Sequence, residues 1–501
     1  MSAMSLTQFS HLAGRAFVAS LKRDEQKSMG QFMTPPAIAK FMANRLVSQV
    51  NNRYVRLLEP AAGAGILAAA VVEELLEKVD RPHTLEVLLC EVDMRLLPTL
   101  ETLGAKMAEA CRKNGVELRF EIQVGDFLLS PIALHGQAID GLIVIANPPY
   151  FKIAKEDPRA IAHAYAVHGQ PNIYGLFMAA CARLVGAGDK WCFIVPRSWM
   201  NGTYFSAVRR TLFTTLQPES LHAFESRKQH FHEDEILQEA VIMWATGRVN
   251  IEPNLQVLVT RSQGIADLGQ AEIQALAITR LVGDDADQTV ALPLDHTDPF
   301  EHWTATFENY GLKVSTGPVV AFRATQHIRE YAEPGTVPLL WLQHVRHNEI
   351  RWPVNKKREH IRADAEAAGL LVPNRAMVVL RRFSPKEDER RVTAAGYVGE
   401  LPGSVIGLEN HLNYIYRPGG SMTEDEVRGI AAFLNSRLVD THFRASAGST
   451  QVNAKELRRL KLPALEQLVA IGRTLRTKPS LSEADLAVEL VLGHVDRESA
   501  A

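Results

Sequence analysis

The sequence predicts an α/β fold: a doubly wound, mostly parallel sheet over residues 1–250, followed by a mixed α+β domain over 251–501. Two observations carry this. Between residues 55 and 245, short apolar runs alternate with segments of helical periodicity across short turns, the pattern of repeated β-α-β units. Beyond about Asn250 the alternation disappears and an acidic, loop-like stretch, Gly283-Asp284-Asp285-Ala286-Asp287, follows. A chain of 501 residues is also too long for one ordinary core.

Taken in order, residues 1–28 read as helical and mixed in polarity. Gly30-Gln31-Phe32-Met33-Thr34-Pro35-Pro36 leads into a helix over 37–50, with Thr34 as the N-cap and Pro35 at the first helical position. Such a helix start offers unpaired N–H groups that bind a carboxylate. Arg56-Leu57-Leu58 is a short strand, Glu59-Pro60-Ala61-Ala62-Gly63-Ala64-Gly65 a small-residue turn, and 66–78 a helix. A strand over 85–90 closes on Glu91-Val92-Asp93 and precedes a helix over 95–113. The third strand, 118–124, ends at Gly125-Asp126-Phe127. Gly141-Leu142-Ile143-Val144 is continuous and β-branched, as a parallel strand buried on both faces requires. That strand stops at Pro148 and Pro149, which cannot donate to a ladder. Helices over 173–185 and 204–216 flank a strand over 191–195, and strands near 221–224 and 239–245 complete the domain.

Composition bounds the function. Charged residues at 22% and hydrophobic residues at 46% are ordinary globular values, and a net charge of −2 means that nucleic-acid contact must come from a local patch. Cys90, Cys111, Cys181 and Cys192 form no C-x-x-C pair, so reduced core thiols are expected and a zinc site is not. The first twenty residues lack the pattern of a signal peptide, and no window has the apolar length of a membrane span. A soluble cytoplasmic protein without membrane partners is expected.

The chemistry concentrates at Ile145-Ala146-Asn147-Pro148-Pro149-Tyr150. The carboxyl end of a strand in an open α/β sheet is where ligands sit. There Asn147 offers an amide oxygen and Pro148 a carbonyl, two acceptors suited to an exocyclic amino group, while the Tyr150 ring can lie flat against the ring that carries the amine. A plain strand stop, with Tyr150 on its rim, is the structural alternative. The preceding turns are consistent with one ligand. Gly63 and Gly65 let backbone pass close to a bound molecule, although many α/β proteins have such a turn. Glu91 stands where a carboxylate meets ribose hydroxyls, or is a solvated acid at a helix start. Asp126 and Phe127 offer an acceptor and a face for adenine, or an N-cap beside a core Phe. A ligand with adenine and ribose but no pyrophosphate is indicated, since G-x-G-x-x-G and a phosphate-binding Lys are missing. S-adenosylmethionine fits.

In this order the segments from Gln31 to Pro36, Leu58 to Gly65, Glu91 to Asp93, Gly125 to Phe127 and Asn147 to Tyr150 resemble the motifs of gamma-class N6-adenine DNA methyltransferases, of which the Taq-like enzyme is the model. The resemblance covers residues 28–245. It implies a Rossmann-like methyltransferase fold, with Thr34 at the methionine carboxylate and Glu59, Ala61 and Gly63 around the methionine and turn. It further implies Glu91 on ribose, Asp126 and Phe127 on adenine, and Asn147, Pro148, Pro149 and Tyr150 as the catalytic motif. An aromatic that stacks on the opposite face of the target base is matched by Phe231, which otherwise reads as a hairpin anchor. The small residues 62–64 vary within the family and leave open which N–H touches the cofactor.

In the second domain, basic residues run from Arg346 through Lys356-Lys357-Arg358 and Arg381-Arg382 to Arg390-Arg391, interleaved with Trp341, Trp352 and Phe383. Such a patch can neutralise duplex phosphates, or be a solvated surface, since Glu387-Asp388-Glu389 interrupts it. Asn453 with Glu456 reads as a capping box, preceded by the polar loop Ser449-Thr450-Gln451. With Ser315 to Pro318, Glu409 to His411 and Phe433 to Arg437, these segments resemble the target-recognition half of type II modification methyltransferases of the PstI kind. Double-stranded DNA as substrate, base flipping and functional pairing with a separate restriction endonuclease follow from the resemblance. Two other readings compete: a protein-glutamine methyltransferase, whose planar amide suits the same clamp, and a non-catalytic DNA-binding specificity protein that keeps only the fold. The roughly 250 residues after the sheet favour DNA over the first, and the intact Asn147–Tyr150 motif argues against the second.

Overall fold

The computed structural model describes residues 4–21, 33–130, 141–224, 240–248, 255–271, 273–283, 286–292, 300, 302–355, 357–384, 388–446 and 452–493. It divides into two compact units, Met1–Leu292 and Pro293–Ala501. The boundary therefore falls later than the expected 250/251, because two strands after that point join the first unit's sheet.

The strands of the first unit are β1 (Tyr54–Glu59), β2 (Thr84–Glu91), β3 (Glu117–Val124), β4 (Leu142–Ala146), β5 (Lys190–Pro196), β6 (Leu216–Phe224), β7 (Ala240–Gly247), β8 (Gln256–Ser262) and β9 (Ile273–Ala277). Among the described residues they form one sheet in the order β3-β2-β1-β4-β5-β7-β6-β8-β9. The first five are mutually parallel; β7 runs antiparallel to both β5 and β6. Strand order reverses between β1 and β4, which opens a crevice at their carboxyl ends.

Period-two alternation buries both faces of the sheet. Leu142, Val144 and Ala146 of β4 pack with Trp191, Phe193 and Val195 of β5 in one core, shared with the helices Ile173–Ala182 and Ser206–Thr215. Ile143 and Ile145, with Cys192 and Ile194, point into the other core, beneath the helices Pro36–Val47, Ile66–Glu77 and Leu97–Lys113. All four cysteines are buried and unpaired. No helix among the described residues is long and apolar enough to cross a membrane.

The second unit contains β10 (Lys313–Thr316), β11 (Ile328–Arg329), β12 (Thr336–Leu340), β13 (Val345–Arg346), β14 (Glu349–Ile350), β15 (His360–Arg362), β16 (Leu371–Pro373), β17 (Met377–Arg381), β18 (Ala394–Tyr397), β19 (Val405–Leu408) and β20 (Leu412–Tyr416). They make a four-stranded sheet, β10-β20-β17-β18, a five-stranded sheet, β11-β15-β12-β19-β16, and the hairpin β13-β14. Helices Glu424–Asn435, Leu465–Thr474 and Leu481–Leu492 cover the four-stranded sheet through Ile430, Phe433, Leu434, Leu468, Ile471 and Ala484. The first two approach through glycines: a Cβ on Gly429 would lie 1.8 Å from the Leu468 carbonyl oxygen, and one on Gly472 would lie 2.0 Å from that of Asp425. Asn435, fully buried, accepts from the Ala394 N–H (2.8 Å) and donates to its carbonyl (2.8 Å), fastening the end of the helix to β18. The Asn453 N–H meets the Glu456 carboxylate at 2.8 Å, as the capping reading expects.

The basic cluster of this unit is not one solvated face. Arg390 and Arg391 are buried, Arg390 on Asp485 (2.6 Å) and the Asn435 carbonyl (3.3 Å), Arg391 on the Ser384 carbonyl (3.3 Å). Arg381 donates to the Val345 carbonyl (2.8 Å) and Arg375 to that of Gly420 (2.7 Å). Lys356, Lys386 and the loop 449–451 lie outside the described residues.

Candidate active site

Buried strands force their terminal residues to the sheet's rim, and there four adjacent strand ends meet. A cavity of about 240 Å³ opens at the carboxyl ends of β1, β2, β3 and β4. Thr34, Glu59, Ala61, Gly63, Glu91, Asp126, Phe127, Asn147 and Pro149 all line it. Sequence positions more than a hundred residues apart are thus brought to one cleft. Pro148 is buried and Tyr150 half-buried, and neither belongs to the lining. Phe231 lies outside the described residues, as do Gln31 and Phe32.

The turn after β1 is held by two acids. Glu59 is buried at the base of the helix Ile66–Glu77 and accepts from the Ala68 N–H (2.9 Å), occupying a helix-terminal donor. Burial raises its carboxyl pKa well above the ordinary value; the Ala68 N–H opposes the rise and the Glu91 charge adds to it. Glu91 reaches across from β2. One of its oxygens accepts from the Gly63 N–H (2.7 Å), the other from the N–H groups of Val92 (3.0 Å) and Asp93 (2.9 Å). Its pKa is also raised by burial, against the pull of those N–H groups. Gly63 adopts φ +54°, and a Cβ there would face open space, so the backbone edge stays bare toward a ligand.

After β3, Asp126 accepts from the Leu128 N–H (2.9 Å) and leaves its second oxygen 3.7 Å from Arg159. Phe127 stacks on Phe177 with centroids 5.5 Å apart and planes 14° from parallel. Phe177, Ile173, Phe151 and Arg159 complete the wall. Sequence reasoning did not single them out. A signal existed for two: Ile173 and Phe177 are four residues apart on the helix Ile173–Ala182, so they share one face. Arg159, by contrast, follows Asp157-Pro158 and reads as part of a capped helix start, as it also is: its N–H and guanidinium both bond Asp157.

Asn147 sits between two hydroxyls. Its Nδ2 donates to Thr34 Oγ1 (3.0 Å), and its Oδ1 accepts from the Tyr150 hydroxyl (2.6 Å), which also reaches the Ile194 carbonyl (3.0 Å). Burial raises the Tyr150 pKa, so this hydroxyl stays protonated. The Tyr150 ring meets Tyr174 edge-on, 5.8 Å away at 81°. Thr34 is not the N-cap expected from sequence. The helix begins one residue later, at Pro36, with Pro35 at the cap, because Pro35 keeps an extended ψ of 146°. That shift frees the Thr34 hydroxyl for Asn147.

Residues 142–231 match the family model described as Eco57I restriction-modification methylase. The chain is 30% identical to the type II methyltransferase M.BsuBI of Bacillus subtilis over 467 residues, covering 89% of this chain and 90% of the relative. It is 28% identical to the type II methyltransferase M.PstI of Providencia stuartii, covering 91% and 90%. Among solved structures, the type ISP restriction-modification enzyme LlaBIII bound to DNA matches 94% of this chain and 41% of its own, with TM-score 0.52 and 9% identity. A DrdV–DNA complex matches 93% and 59%, with TM-score 0.50 and 13% identity. These two likenesses concern the fold. Sequence agreement across nine-tenths of both chains, together with the doubly wound sheet, places this chain in the family of type II methyltransferases.

Proposed function

We propose that the chain is a site-specific DNA adenine methyltransferase that moves a methyl group from S-adenosylmethionine to N6 of a flipped-out adenine, and so protects host DNA from a cognate restriction enzyme. The observation that carries this reading is Asn147 on the same cavity wall as Gly63, Glu91 and Asp126. The residues present suit the cofactor. The Glu91 oxygen that accepts only from Gly63 keeps a lone pair for a ribose hydroxyl. The Asp126 carboxylate can accept from an exocyclic amine, and Phe127, Phe177 and Ile173 give an apolar slot for a purine. The lining cation Arg159 is bonded to Asp157, which fits a ligand without phosphates. When bound, S-adenosylmethionine supplies an electrophilic methyl on a positive sulfur.

The chain's part is positioning. Adenine N6 is a poor nucleophile because its lone pair is delocalised into the ring. The Asn147 amide oxygen and the Pro148 carbonyl, accepting hydrogen bonds from its two N–H groups, localise that pair and aim it at the methyl. Orienting two reactants in this way lowers a barrier by roughly 7–11 kcal/mol. Extruding the base costs a few kcal/mol. Stacking on Tyr150 and Phe231, at about 1–3 kcal/mol per aromatic, offsets much of it. DNA as substrate is supported by the two fold neighbours, DrdV and LlaBIII, each solved with DNA. In the second unit, two of the segments resembling a target-recognition half lie side by side: the Gly317 N–H bonds the Leu412 carbonyl (2.8 Å), and the Asn410 N–H bonds the Val319 carbonyl (2.9 Å). Expression in a host lacking adenine methylation, followed by sequencing for N6-methyladenine, tests the proposal. Modification at one short motif is expected; unmodified adenines throughout would refute it.

A further inference from the structure

On the reading above, Asp126 receives the amino group of the cofactor's purine, so its second oxygen has to accept from the ligand. The structure sets a competitor beside it. Arg159 Nη1 lies 3.7 Å from Asp126 Oδ2, too far for a hydrogen bond but close enough to be drawn onto it. Both residues line the cavity. A guanidinium seated on Asp126 would turn N–H donors toward the place where the purine amine, itself a donor, has to sit.

What holds the guanidinium back is Asp157. Its carboxylate accepts from Arg159 Nε at 2.8 Å and from Nη2 at 2.6 Å, a two-pronged pair along one edge of the guanidinium. Arg159 in turn holds the Asp157 carboxyl below its ordinary pKa, chiefly through these bonds, so the pair is ionised at neutral pH. The partners are two residues apart at one helix start and meet without any help from distant elements. The Phe151 ring, 5.8 Å from the guanidinium, adds a second hold. Asp157 itself is not part of the cavity lining.

We infer that Asp157 is a positioning residue that sets the cavity's preference for a 6-amino over a 6-oxo purine, by keeping Arg159 off Asp126. One cation stands between two carboxylates, and their balance decides where it rests. With Asp157 ionised the balance falls on its side, and Asp126 faces the ligand as an acceptor. With that charge removed, the long arginine side chain need move only about 1 Å to reach charge-assisted bonding distance from Asp126. The site then presents donors, which oppose an amine and suit a carbonyl oxygen. A residue outside the cavity thus governs which purine the cavity takes.

The test uses the full chain and two ligands, S-adenosylhomocysteine and S-inosylhomocysteine, which carries a carbonyl oxygen where the first has the amine. Both affinities are measured by calorimetry in wild type, Asp157→Ser, Arg159→Met and the double variant. Serine keeps a good N-cap for the short helix but is neutral and too short to hold the guanidinium. Asp157→Ser is expected to weaken S-adenosylhomocysteine about tenfold, the scale of one hydrogen bond, while S-inosylhomocysteine binds as before or more tightly. Arg159→Met alone is expected to retain the preference for the amine, even where both affinities change. Added to Asp157→Ser, it is expected to restore that preference. An unchanged preference in Asp157→Ser overturns the inference, whether both affinities fall together or neither does. Failure of Arg159→Met to restore the preference overturns it too, as does loss of preference in Arg159→Met alone, which would make Arg159 a prop for Asp126. A wild-type chain that binds the two ligands equally defeats the underlying reading of Asp126 instead, and is seen before any variant is made.

Discussion

Glu91→Gln probes the cavity most directly, because it removes one acceptor and almost no volume. The carboxylate divides its oxygens between two loops: one receives Gly63 at 2.7 Å, the other Val92 and Asp93 at 3.0 and 2.9 Å. A carboxamide has one oxygen. Keeping that oxygen on Val92 and Asp93 turns an NH2 group toward the Gly63 N–H, donor against donor; the reverse placement loses two bonds. The cheaper state forfeits one charge-assisted bond, worth about 1.5–3 kcal/mol. Global stability changes less than that, since the neutral amide also escapes the burial cost that raises the Glu91 pKa. The loss falls on the Gly63 turn, which lines the cavity. S-adenosylhomocysteine should therefore bind about ten- to a hundredfold more weakly by calorimetry, with a thermal midpoint close to wild type. Affinity within about twofold of wild type would show that the Glu91–Gly63 bond does not shape the site.

Asn147→Ala should lower kcat by about 10²–10³-fold or more, while S-adenosylhomocysteine and duplex binding persist; a variant with wild-type turnover defeats the amide mechanism. Glu59 gives a pH signature. Its folded pKa is raised by burial, so its contribution to stability is full below the ordinary carboxylate value and is lost as pH rises through the raised one. The stability of Glu59→Gln relative to wild type should thus grow as pH rises from acid towards neutral in denaturant titrations, and a pH-independent difference would contradict the assignment. Gly429→Ala puts a methyl 1.8 Å from the Leu468 carbonyl oxygen and should destabilise the second unit by at least about 1–3 kcal/mol. An unchanged denaturation midpoint would mean that the two helices separate without cost.

The parts of this architecture that were legible in the sequence share one property: a single residue pattern determines them. β4 and β5 are apolar on both faces, so they read as continuous runs whatever surrounds them. β8 and β9 escaped notice because they lie at the far side of the sheet, where Gln256–Ser262 alternates exposed and buried residues and Ile273 is exposed. The cavity's acids were found because each ends a parallel strand. Thr34's partner was not, since it depends on where a distant strand delivers Asn147. The same holds for Tyr150, whose hydroxyl is claimed by a carbonyl of β5. Between 341 and 391, arginine composition suggested a surface, but burial is a tertiary property and half-hides the cluster.

The interior placement of those arginines changes what a polyanion would meet. Arg390 and Arg391 are committed to carbonyls and to Asp485, whereas Arg346, Arg351, Lys357 and Arg358 remain exposed. Only cations at the surface displace condensed counterions from a duplex, so the steepness with which added salt weakens association is set by the outer group. A count of basic letters overstates that steepness. What the buried guanidinium groups contribute is rigidity beneath the loops rather than attraction above them.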